Sequence, residues 1–319
     1  MLDNINKVNQ HHASGCSPLV DLSLNILSRL QPSFSSDEAT RLRLVGVHSS
    51  NAFAPVVAHH NFPILNEFPN LIILQDGAAL ESLRAQLSFF GHQGKLNVLP
   101  HFDVSPYSNL YPNHRMITDR IRWLVSCENS QLGDLFAATL PALLQKTLPY
   151  SVLKNQTRRL ELGDSIPSRF SFELERLGYS NVPVVEDPGT FSLRGGIIDL
   201  FSAAHDRPVR LELFGDDIES LRFFDPDTQR SLGETDFFYL TPAREVFFTD
   251  ENRQTVARRF KESIVERDVQ QDEAQEILHA ISQGRYFHGV DFMLPYFYDK
   301  LSLPLEHFSS AVNVWIFQP

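Results

Sequence analysis

The run Val209–Phe214 alternates so strictly that an extended strand is the local conformation that sorts its side chains. Val209, Leu211 and Leu213 fall on one side and Arg210, Glu212 and Phe214 on the other, because successive strand residues point to opposite faces. The aliphatic set makes the natural core face. Arg210 and Phe214 then share a charged outer face, and an aromatic with an arginine on a polar sheet surface is the material of protein-binding hot spots. Packing of Phe214 beneath a neighbouring loop or helix is the alternative that the alternation leaves open. Phe191–Phe201 before this run and the stretch to Asp225 after it read as further strands, so that two or three follow one another.

Elsewhere the pattern changes. Residues 1 to about 40 read as a helical lead-in, Arg41–Val47 as a strand, and Ala52–His60 as a short helix interrupted early by Pro55. Asn70–Gln75 is a buried type of strand, Ala78–Phe90 has helical spacing, and Leu96–Pro100 and Met116–Val125 repeat the pair. Leu135–Thr139 is a fourth short strand, running into Pro141–Lys146. Strands alternating with helices predict a parallel sheet flanked by helices. Around Tyr150 the character shifts. Arg158–Leu162 reads as a strand, and Asp164 or Ser165 can cap an amphipathic helix ending near Gly178. Val182–Val185 reads as a strand and Asp187-Pro188-Gly189 as a turn. Helical periodicity returns from about Thr241, over Glu251–Glu266 and Gln271–Ser282, and the chain closes on the apolar, strand-type run Ala311–Phe317. The expected organisation is an α/β chain in three parts: 1–149 begin an α/β domain, 150–243 form a small inserted α+β domain, and 244–319 return to complete the first. Ending on a buried type of strand suggests a piece of something longer.

At 319 residues, 42% hydrophobic and 21% charged, the chain suits two or three globular domains. No apolar run approaches the roughly 20 residues of a membrane span, and the N-terminus lacks the basic start and apolar core of a secretion signal. Cys16 and Cys127 form no metal or redox pair, so a cytoplasmic setting is expected. A net charge of −11 weighs against phosphate gripping as the main role, because nucleic-acid-binding domains usually cluster Lys and Arg on one face. The adjacent pairs His11-His12 and His59-His60 diverge, no Cys/His spacing suits zinc, and no Gly-x-Ser-x-Gly nucleophile motif occurs. Asp216-Asp217 reads as a solvated turn. Tyr286–His288 and Tyr296–Tyr298 could stack on bases, but their setting favours core packing.

Longer motifs narrow the choice. Phe191-Ser-Leu-Arg-Gly-Gly-Ile-Ile-Asp-Leu-Phe201, Leu211-Glu-Leu-Phe-Gly-Asp-Asp-Ile-Glu-Ser-Leu-Arg222 and Phe224-Asp-Pro-Asp-Thr-Gln-Arg-Ser-Leu232 resemble the bacterial transcription-repair coupling factors, in the N-terminal module related to the excision-repair protein UvrB. Leu99–Tyr107, Tyr111-Pro112 and Ile117–Arg120 resemble the first domain of that module, and Leu240–Glu245 and Gly289–Tyr298 its return segment. The resemblance implies a parallel sheet of the phosphate-loop helicase type with a small α+β domain inserted into it.

Two departures matter. Helicase folds of this kind carry a phosphate loop whose lysine meets the phosphates and whose Ser/Thr holds magnesium. The corresponding segment is Gly46-Val-His-Ser49-Ser50-Asn51-Ala52-Phe53, with Ala52 and Phe53 standing where Lys and Thr would be. The loop is therefore expected to be degenerate, without ATP turnover, although backbone N–H groups could still meet a nucleotide. The long tyrosine-rich hairpin of UvrB also has no room between Pro106 and Met116. Both losses fit the coupling factor rather than UvrB.

The resemblance implies that the inserted domain docks onto UvrA, the damage-recognition ATPase, through Arg194, Arg210 and Phe214. The alternative for Arg194 is a structural salt bridge to Asp199, Glu212 or Asp217. No cofactor is expected for this chain. In the full-length family ATP and Mg2+ serve a separate translocase motor, RNA polymerase and double-stranded DNA are met by other parts, and the motor region masks the docking surface. An autonomous ATPase or helicase and a nucleic-acid-binding module are the rival readings.

Overall fold

The computed structural model describes residues 68–316 apart from 93, 103, 105–109 and 268–270. The expected lead-in helix, the strand at 41–47, the loop at 46–53 and the helix at 52–60 lie outside the described residues. The chain divides into two compact units, one of 1–97, 131–140 and 310–319, the other of 98–130 and 141–309.

The elements of the first half are β1 (Asn70–Leu74), α1 (Gly77–Phe89), β2 (Leu96–Val98), α2 (His114–Glu128), β3 (Leu135–Thr139), α3 (Leu140–Leu144) and α4 (Tyr150–Gln156). Next come β4 (Arg158–Glu161), α5 (Phe170–Arg176), β5 (Ser180–Asn181), β6 (Thr190–Arg194), β7 (Ile197–Leu200), β8 (Val209–Phe214), β9 (Asp217–Phe224), β10 (Ser231–Glu234) and β11 (Phe237–Leu240). The chain then runs through α6 (Asn252–Arg267), α7 (Gln271–Gln283), α8 (Leu294–Phe297) and β12 (Asn313–Ile316).

In the first unit the sheet order is β12-β1-β3-β2, with β1 parallel to both β12 and β3. The parallel sheet is as the sequence leads one to expect, but β12 joins it as an edge strand with Val314 and Ile316 exposed, not as the buried strand that the apolar run suggested. Every residue of β3 is buried, as a strand covered on both faces must be. One polar side chain sits inside β1. Asn70 is buried because its oxygen accepts from Trp315 Nε1 at 3.0 Å and Asn313 Nδ2 at 3.2 Å, while its own amide donates to Phe68.

The second unit holds a six-stranded sheet, β10-β9-β8-β7-β6-β5, antiparallel except where β5 runs parallel to β6. Its inner face packs Phe191, Ile198, Leu200, Val209, Leu211, Ile218 and Leu221 against Phe170 and Leu174 of α5 and against the β4–β11 ribbon. The alternation of β8 is obeyed: Val209 and Leu211 are buried, and Leu213 packs against the same core.

Two expected elements fall elsewhere. The helix begins at Phe170 rather than after Asp164, and Arg169 at its start supplies no side-chain cap. Asp164 instead accepts from the Glu161 N–H at 2.8 Å, and Ser165 bridges to Asp217, which holds 163–166 as an extended flank of β9. The strand expected at Val182–Val185 is only Ser180–Asn181, since Pro183 has no N–H to offer a ladder. The aromatic runs near the end do pack inward: Phe297 lies 5.1 Å from Phe248, and the Tyr286 hydroxyl donates to the Arg176 carbonyl.

Two histidines set a pH dependence of stability. His307 faces the Thr147 hydroxyl at 3.1 Å, and His205 accepts from the Tyr239 N–H at 2.9 Å while stacking 4.6 Å from Phe238. Burial lowers each imidazole from 6.5 to about 4. Above about pH 6.5 both are neutral in the folded and unfolded chain, and their contribution is complete. As pH falls from 6.5 toward 4 the unfolded chain takes up protons that the folded chain refuses, so stability is lost in that window and the loss ends near 4. Each histidine can account for up to about 3 kcal/mol. The thermal midpoint is expected to drop between pH 6.5 and 5, above the carboxylate range, and to drop less in His205→Gln. An unchanged pH slope in that variant would count against this assignment.

Candidate functional site

The outer face of the six-stranded sheet carries the three residues singled out from the sequence. Cross-strand register sorts it into rows, because directly opposed residues of antiparallel strands share a face. One row is Ser192, Asp199, Arg210 and Arg222; the next is Arg194, Ile197, Glu212 and Ser220; the last is Phe214 opposite Asp217. The register shift beside Glu212 and Leu213 lies in β9, where Glu219 is passed over, so β8 keeps its alternation, with Leu213 against the core and Phe214 outward.

Two short hairpins build the end of this face. Gly195 opens the β6–β7 turn with φ 60° and Gly215 opens the β8–β9 turn with φ 66°. A positive φ at the first of two turn residues is a glycine position in hairpins of this kind. The tips are laced together where Leu213 N–H donates to the Gly196 carbonyl at 2.7 Å. A side chain at 196 would press within 3.1 Å of the Leu213 carbonyl. The glycines thus let the two tips close, and they leave no side chain leaning over Phe214.

Phe214 is 79% exposed. Among the described residues no loop or helix covers it. Arg194 is exposed, with its guanidinium donating to the Pro183 carbonyl rather than to any of the three carboxylates considered for it. Arg210 is placed differently. Its Nε and Nη2 donate to the two oxygens of Asp199 at 2.6 and 2.8 Å, and its guanidinium lies 4.8 Å over the Phe224 ring. The Asp199 hydrogen bonds raise the Arg210 pKa further. Glu212 is taken by Arg222, which stands directly across from Arg210. The two arginines would repel, and each has its own acid. About 13 Å of strand separates Arg210 from Phe214 at the usual rise, so the two form opposite ends of one face rather than a single contact point.

Ile197 was missed in reading the sequence. It sits between Arg194 and Glu212 in the second row and is 39% exposed. The signal was present, since two consecutive isoleucines in one strand cannot both face the core.

Among the described residues no group of His, Cys, Asp and Glu could hold a metal ion, and no helix is long and apolar enough to cross a membrane. The face is a charged sheet with an uncovered aromatic, an arrangement suited to gripping another protein.

Residues 159–246, which contain the whole of this face, match the family model of the UvrB interaction domain. The chain is 37% identical over 245 residues to the transcription-repair-coupling factor of Myxococcus xanthus, covering 72% of this chain and 20% of that protein. It belongs to the UvrB-homology module of the transcription-repair-coupling factors. The factor of Escherichia coli is 28% identical over 270 residues, 84% of this chain and 22% of its own length, and that of Haemophilus influenzae is 28% identical over 243 residues, 76% and 21%. The chain therefore spans about a fifth of the length of the curated relatives it matches. In this coupling-factor module the strands that match the interaction-domain model are also those that carry Arg194, Arg210 and Phe214.

Proposed function

We propose that this chain is a non-catalytic adaptor of transcription-coupled repair that recruits UvrA, the damage-recognition ATPase, through the outer face of the 150–243 domain. The observation that carries this reading is the bare Phe214 ring on a rigid hairpin tip, inside the segment that matches the UvrB interaction domain. Arg194 and Phe214 are the direct contacts. Arg210 fixes the far end of the face by holding Asp199.

On the same reading, ATP and Mg2+ serve the translocase motor of the full-length relatives, and RNA polymerase and double-stranded DNA are met by other parts of them. The replacement of the phosphate-loop Lys and Thr by Ala52 and Phe53 supports the absence of turnover here. Motor residues that mask the docking face in the longer proteins would have to cover Phe214. A chain carrying the module alone is then expected to bind UvrA more readily than the intact parent.

The test is a titration of purified UvrA with this chain and with Arg194→Ala and Phe214→Ala. Both variants are expected to lose affinity while keeping the wild-type melting midpoint, and undiminished binding by both would refute the site. A parallel hydrolysis assay is expected to show no ATPase above background. DNA affinity, titrated against salt, is expected to stay weak for a chain of net charge −11.

A further inference from the structure

The row that holds Arg194 and the tip that holds Phe214 enclose a second apolar residue and an acidic flank that the docking reading does not use. Ile197 lies directly opposite Arg194 on one side and Glu212 on the other, outward from a sheet whose remaining outer positions in the same rows are polar. The core contact of this strand is supplied by Ile198 next to it, at 1% exposure, while Ile197 is left 39% exposed. It is not a lone surface apolar residue of the ordinary kind. The Gly196–Leu213 hydrogen bond puts the start of β7 beside the end of β8, so Ile197 and Phe214 stand on adjacent strands with only Glu212 between them in the outer rows.

Charge is divided across this pair. The strand order β9-β8-β7-β6 places Asp216 and Asp217 on one side of Phe214 and Arg194 on the other. Both carboxylates are exposed, and the Asp216 carbonyl receives the Ile166 N–H at 2.7 Å, which holds the acidic turn in place. The turn is therefore a fixed anionic edge and not a loose loop.

We propose that Ile197 and Phe214 are a two-residue apolar plug, and that the surface of UvrA which receives it is an apolar socket with a cationic group on the Asp216–Asp217 side and a carboxylate or carbonyl on the Arg194 side. This rests on the docking reading above and adds the socket's chemistry and orientation. The apolar pair supplies affinity because it is desolvated on docking. The opposed charges supply speed and orientation: docking turned by half a revolution would set Arg194 against the cation and the acids against the anion.

The experiment measures association and dissociation rates of UvrA with the wild-type chain, Ile197→Ser, Phe214→Ala and the double variant Asp216→Asn/Asp217→Asn, at low and physiological salt. Ile197→Ser is expected to weaken binding about tenfold, mostly through faster dissociation. The double variant is expected to slow association several-fold at low salt and to flatten its salt dependence, with little change in dissociation. Phe214→Ala losing binding while both Ile197→Ser and the double variant match wild type would overturn the plug and leave the docking reading standing. Failure of the wild-type chain to bind UvrA would remove both. Melting curves keep the outcomes separable, since all four substituted side chains are at the surface and none should unfold the chain.

Discussion

Glu245→Ala should be among the most damaging single substitutions in the chain, costing about 3–5 kcal/mol of stability. Arg120 is 1% exposed and Glu245 8%, and they meet at 2.5 Å. Arg120 also donates to the Pro100 carbonyl at 2.9 Å and to Gln145 at 3.0 Å, and lies 5.0 Å over the Phe102 ring. The second Glu245 oxygen accepts from the Leu148 N–H at 3.2 Å. One ion pair thus ties α2, the 100–102 segment, the end of α3 and the segment returning from the inserted domain. Removing the carboxylate leaves a buried guanidinium without its anion and a buried N–H without an acceptor, and each omission is costly. Replacing both partners together is expected to cost less than Glu245→Ala alone, because the uncompensated charge disappears with the arginine. Chemical denaturation of the three variants checks this. A double variant whose loss relative to wild type equals the sum of the two single losses would show that the two residues act independently.

How much of this was legible beforehand depended on whether local pattern or distant partnership decided the outcome. The β8 alternation fixed which side chains go inward, and the structure agrees residue by residue, because period 2 is a property of the strand alone. A parallel sheet was expected from the alternating strand-helix order, and β1 does pair in parallel with β3 and β12. The failures were of another kind. Asp164 and Ser165 look like helix caps in isolation, but they serve the β4 turn and the β9 edge, and that choice depends on a strand some 50 residues later. The partner of Arg210 was invisible for the same reason. Asp199, Glu212 and Asp217 all lie within reach in sequence, and only the β7–β8 register puts Asp199 opposite Arg210. Ile197 was overlooked although two adjacent residues of one strand must face opposite ways.

Phe214→Ala is expected to reduce the affinity for UvrA by at least 2 kcal/mol, roughly thirtyfold or more, with no change in melting midpoint. The expected size follows from what the ring is doing in the free chain. At 79% exposure it contributes almost nothing to the core, so truncation creates no cavity and binding alone registers the loss. Arg210→Ala should behave in the opposite way. Its side chain is only 24% exposed and Asp199 beneath it 6%, so deletion leaves a nearly buried carboxylate without its cation and should lower stability as well as affinity. A fall in binding by Arg210→Ala therefore does not identify a contact. Adding Asp199→Asn to Arg210→Ala separates the two roles, because the neutral amide has no charge to strand. Recovery of both stability and UvrA affinity in that double variant would make Arg210 a positioning residue. Recovery of stability without affinity would show that the guanidinium leaves Asp199 to meet the partner, and would move Arg210 into the contact surface beside Arg194 and Phe214.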